Sequence, residues 1–167
     1  MTSRRGYRKI INIPTGYLDV IPVGTRLFPT LYQFENALRL AVDKHLTVCY
    51  GNWWEDKLKF DLPDIYNYAE GVKQQHSKMP WIGDSARVTT LPLHNITLGQ
   101  LGQIVEYYKS DCIPQLFSSL DFFTGHMRLI KLVRNLYSHM FPCLTSQDAK
   151  LARNEIITLC ASLKSKI

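Results

Sequence analysis

Apolar residues that return every three or four positions, over stretches longer than a strand, constrain this chain more than any other feature. Leu31, Phe34, Leu38, Val42 and Leu46 form one such series, and that spacing places all five on one side of an α-helix. Leu98, Leu101, Val105 and Tyr108 form a second, and Ala152, Ile156, Leu159 and Leu163 a third. A helix with one apolar stripe must bury it against other helices. The expected fold is therefore all-α, a bundle of four to five helices. The chain has 167 residues, enough for one domain with a real core.

Local signals place the ends of these helices. Thr30 with Gln33, Thr97 with Gln100, and Thr145 with Asp148 have the spacing of a capping box. They predict helices that begin after Thr30, Thr97 and Thr145, the first ending near Gly51. Pro63 fits the first position of a shorter, more polar helix. Pro114 is expected to break or kink the helix begun at Leu98. A long helix is expected from about Ser118 to Met140, stopping before Pro142. Residues 1–26 mix β-branched residues with Pro and Gly. They read as a basic extended arm or short strands, outside a helical domain of residues 27–167. Trp53 and Trp54 read as packing residues rather than a base-stacking platform.

Charge narrows the partners. The net charge is +6, and it is concentrated at Arg4, Arg5, Arg8 and Lys9 and again in the last third of the chain. A basic balance of this kind favours polyanions such as RNA, although many basic proteins bind none. No apolar run approaches the ~20 residues of a membrane span. The N-terminus lacks the apolar core of a secretory signal. Cys49, Cys112, Cys143 and Cys160 show no C-x-x-C spacing, and free thiols in a cytoplasmic protein are expected. His45, His76, His94 and His126 show no metal-ligand spacing and read as ordinary surface or core residues. No cofactor or metal is expected.

The end of the long helix carries the chemistry. On a helical wheel, Leu129, Leu132, Val133, Leu136 and Met140 make the apolar face. Arg128, Lys131, Asn135 and His139 line one polar face, with Arg134 on the border. Arg134 lies about 140° around the helix from His139. A bent arginine or a second copy of the helix could bring the two groups together.

The stretch "RNLYSH" resembles the R-N-x-x-x-H motif of the HEPN superfamily, small all-helical domains many of which are metal-independent ribonucleases. Arg134, Asn135 and His139 stand at its three marked positions. "LYQFENALRLAVDKHL" followed by "YGNWWEDKL", and "ITLGQLGQIVEYY", are similar to the Swt-like branch of that superfamily. The resemblance spans residues 27–163. Relatives often carry proline after the Asn, where this chain has Leu136.

The resemblance implies an endoribonuclease in which the RNA 2′-hydroxyl attacks the adjacent phosphate. His139 would be the general base, with an ordinary pKa of ~6.5. Arg134 would stabilise the phosphorane, and Asn135 would orient the imidazole or donate to phosphate. The products would carry 2′,3′-cyclic phosphate and 5′-hydroxyl ends. Arg128 and Lys131 would track the RNA backbone. Tyr137, Ser138, Glu35 and Asn36 are candidate supporting residues. Family habit implies a homodimer with a composite cleft, a role as the toxin of a toxin–antitoxin or phage-defence system, and an antitoxin or regulatory protein as partner. Blander readings stand beside these. His139 can merely answer the helix dipole, and Arg128 and Lys131 can be a solvated face. The alternative function is a catalytically inactive helical module that binds RNA or a partner protein.

Overall fold

Helix α1 runs unbroken from Thr15 to Tyr50 in the computed structural model, which describes residues 15–78, 91–139 and 145–163, the side chains of 15–20 excepted. Two expectations are corrected here. Thr30 caps nothing, and the expected arm is helical from residue 15 onward; its earlier part lies outside the described residues. Both Pro22 and Pro29 lie inside α1. An interior proline costs about 3 kcal/mol, so local signals predict a stop. Packing overrides them. Leu27 and Leu31 are buried and Val23 packs on the core. Each buried Leu contributes about 1.5–3 kcal/mol, a sum of the same size as the proline penalty. The helix ends at Gly51, whose φ of 67° turns the chain while its N–H donates to the Thr47 carbonyl at 2.8 Å.

A π-helical segment, Trp54–Leu58, and the single turn α2, Lys59–Asp61, lead into α3, Pro63–Ser77. Pro63 opens α3 as expected. Trp53 and Trp54 are both buried, edge to face at 5.5 Å, in the packing role read from the sequence. The Trp53 indole donates to Asp43 at 3.1 Å, whereas the buried Trp54 Nε1 has no partner among the described residues.

A 3-10 turn, Pro92–Asn95, precedes α4, Leu98–Tyr107. The Thr97 capping box forms in full: Thr97 Oγ1 accepts from the Gln100 N–H at 3.2 Å, and the Thr97 N–H donates to Gln100 Oε1 at 2.9 Å. The helix does not run on to Pro114. It breaks at Tyr108, and α5, Lys109–Leu116, carries Pro114 inside it. Two phenols hold the corner. Tyr108 donates to Asp61 at 2.9 Å and Tyr50 to Asp111 at 2.7 Å. The bond to Asp111, with burial behind it, pushes the Tyr50 hydroxyl up to about 12.

Helix α6 spans Leu120–Ser138, capped by Ser119, and α7 spans Ser146–Leu163. Thr145 and Asp148 cap α7 reciprocally. The Thr145 hydroxyl and N–H hold the Asp148 carboxyl below the usual carboxylate range. Helix α1 packs on α7 and α5, and α6 packs on α7 and α4. Among the described residues the architecture is seven α-helices and no strand, an all-α fold. No helix there is long and apolar enough to cross a membrane.

Candidate functional site

The face of α6 differs from the wheel. Phe123, Met127, Ile130 and Val133 point into the core, and Leu132 is 57% exposed. Leu129 and Leu136 are half-buried, and Met140 lies outside the described residues. The true stripe is turned by about one residue, roughly 100° around the helix. That rotation carries Arg134, Tyr137 and Ser138 onto the side of α6 that faces α1.

A cleft of about 280 Å³ opens between them and α1. From α6 come Arg134, Tyr137 and Ser138; from α1 come Phe28, Tyr32, Glu35, Asn36 and Arg39; His94 closes one end from the 3-10 turn. The volume lies near the lower end for ligand pockets, ~300 Å³. Tyr137 reaches α1 because residue 24 is glycine: a Cβ there would collide with the Tyr137 ring. Phe28 then packs against Tyr137 at 6.4 Å and against Tyr32 at 6.0 Å. Phe28 and Tyr32 remain more than half exposed at the mouth.

Glu35 binds the two arginines of the cleft. Its Oε2 accepts from Arg39 Nη2 at 3.2 Å, and its Oε1 lies 3.6 Å from Arg134 Nε. Arg39 is only 8% exposed. Its Nε donates to the Leu93 carbonyl at 3.0 Å and its Nη2 also to the Ile96 carbonyl at 3.2 Å. Arg39 is thus a structural cation that fastens the 3-10 turn to α1. Arg134 is about one-third exposed and has one distant carboxylate contact, so most of its donors are available to an incoming anion. Burial, and then the Arg39 charge, lower the His94 pKa below its ordinary value. Its imidazole is neutral near pH 7 and can accept a proton. Asn36 donates to the Tyr32 carbonyl one turn back, at 2.8 Å.

Five residues singled out from the sequence therefore meet in one cleft: Arg134, Tyr137, Ser138, Glu35 and Asn36. Four do not join them. Asn135 and His139 are exposed and line no part of the cleft, His139 sitting at the C-cap with its N–H on the Asn135 carbonyl. Arg128 is exposed, and Lys131 is half-buried beside Gly102 of α4. Within one chain the arginine of the motif lines the cleft and the histidine does not. Arg39 and His94 were missed. Arg39 had a signal, a Glu–Arg pair at a spacing of four inside an apolar stripe. His94 had none, because only the fold brings residues 39 and 94 together. Another histidine, His126, pairs with Glu155 and ties α6 to α7.

Among the described residues no three His, Cys, Asp or Glu side chains gather to hold a metal ion. No family model matches the chain, and no curated protein or solved structure matches it either.

Proposed function

We propose that this protein is a metal-independent endoribonuclease of HEPN type, acting as a homodimer. The observation that supports it is Arg134: it stands at the arginine position of the motif, and it lines a cleft that holds two arginines against one carboxylate. Such a cleft attracts a phosphodiester. In the reaction the 2′-oxygen forms a bond to phosphorus while the bond to the 5′-oxygen breaks. His139 takes the 2′-hydroxyl proton, and Arg134 meets the charge that builds on the equatorial phosphoryl oxygens. The leaving 5′-oxygen gains a proton and becomes a hydroxyl.

Because Arg134 lines the cleft and His139 of the same chain does not, the two groups come from two subunits. A two-fold dimer places the same patch of both subunits face to face, so each cleft can take its histidine from the other chain. Exposed Leu132, between Arg128 and Asn135 on α6, gives that face an apolar contact. A nuclease of this kind needs restraint in its cell, so an inhibitory partner belongs to the proposal.

Wild type and His139→Ala are incubated with total cellular RNA in EDTA. Wild type is expected to yield fragments with 2′,3′-cyclic phosphate ends, and the variant to lose at least about 100-fold in rate with little change in RNA affinity. RNA bound tightly but left intact by folded wild type would overturn the enzyme in favour of a binding module.

A further inference from the structure

A second cleft opens on the other flank of α1, between its first half and α7. It has a volume of about 190 Å³. Arg26 enters it from α1, and Lys150 and Arg153 from α7. No carboxylate among the described residues lines it. Among the described residues none of these three cations makes an ion pair or a hydrogen bond. Both acids of α7 are engaged elsewhere, Asp148 by the Thr145 hydroxyl and N–H and Glu155 by His126. Val23, Leu27 and Ala149 form an apolar floor, which strengthens the field of the charges above it. Three cations that line one small cleft with no carboxylate among its described residues repel one another, and an anion between them relieves that repulsion.

We infer that the α1–α7 cleft is a phosphate-binding site, separate from the cleft of Arg134 and independent of the ribonuclease reading. Two planar guanidinium forks and an ammonium match the oxygens of a phosphoryl group better than a single carboxylate. The cleft is below the ~300 Å³ at which pockets for whole organic ligands begin. It therefore takes the phosphate and leaves the rest of the ligand outside. Its source is either a free phosphate compound or the backbone of a nucleic acid.

Inorganic pyrophosphate and a short RNA oligonucleotide are titrated separately, at low salt, into wild type, Arg26→Gln/Arg153→Gln, Lys150→Gln and Arg134→Gln. All four positions are at least partly exposed, and thermal melting confirms that each variant folds. The double variant is expected to weaken binding of at least one ligand by roughly tenfold or more, and Lys150→Gln by less. Loss of pyrophosphate binding identifies a free phosphate compound as the ligand. Loss confined to RNA identifies a backbone phosphate. Unchanged binding of both ligands in the double variant would overturn the site, as would binding lost only in Arg134→Gln.

Discussion

Replacing Arg39 by methionine removes the cation that ties the 3-10 turn to α1 but keeps most of the buried volume. Three hydrogen bonds are lost, to the carbonyls of Leu93 and Ile96 and to Glu35, at 3.0, 3.2 and 3.2 Å. Hydrogen bonds to a charged group contribute about 1.5–3 kcal/mol each. The side chain of Glu35, 17% exposed, would keep only Arg134 at 3.6 Å. The thioether recovers about 1–2 kcal/mol of apolar burial. These terms bracket a net loss of about 2.5–8 kcal/mol, and the value expected within it is about 3–5 kcal/mol, the range for breaking a buried ion pair from one side. In urea unfolding followed by tryptophan fluorescence, that moves the midpoint by about 2 M at unchanged slope. Arg39→Lys keeps the charge without the fork and should fall between the two. The double variant with Glu35→Gln should cost less than the two single changes added together, because they share one contact. A loss under about 1 kcal/mol for Arg39→Met, or strict additivity with Glu35→Gln, would refute this reading of the buried cation.

Three further outcomes follow from the packing and the titrating groups. Gly24→Ala should destabilise by about 1–3 kcal/mol through its clash with Tyr137; in a Tyr137→Ala background the same change should stabilise, as expected for Gly→Ala in a helix, and thermal melts of the four proteins check the sign. Trp53→Phe should cost about 1 kcal/mol more than Trp54→Phe, since only the first strands a bonded partner, Asp43; chemical unfolding of the pair decides it. For His94, the folded pKa lies below the unfolded value of ~6.5. Its contribution is therefore complete above that pH and is lost as pH falls through the folded pKa. Stability measured from about pH 7 down to about pH 5 should fall more steeply in wild type than in His94→Gln; equal slopes would contradict it.

What could be read from the sequence was local chemistry, and what could not was geometry set by packing. The caps at Thr97 and Thr145 need only neighbouring residues, and both form. The start of α1 and the break at Tyr108 depend on distant partners. Val23 and Leu27 carry the helix through two prolines because the core lies beneath them. Tyr108 turns the chain where Asp61 holds its hydroxyl. The same limit applies to the cleft. Periodicity placed Arg134 on a border, and the rotation of α6 by about one residue that leaves Leu132 outward also brings Arg134 toward Glu35. A wheel cannot supply such a rotation, which follows from how Phe123, Met127, Ile130 and Val133 fill the core.

In the proposed enzyme RNA is cut where Arg134 of one subunit meets His139 of the other. Mixing Arg134→Ala and His139→Ala after joint unfolding and refolding, then assaying RNA cleavage in EDTA, tests it most directly. Each mixed dimer has one cleft with both residues intact, so activity should return to about a quarter of wild type from two inactive parents. A mixture as inactive as its parents, beside an active wild type refolded in the same way, would contradict the composite site.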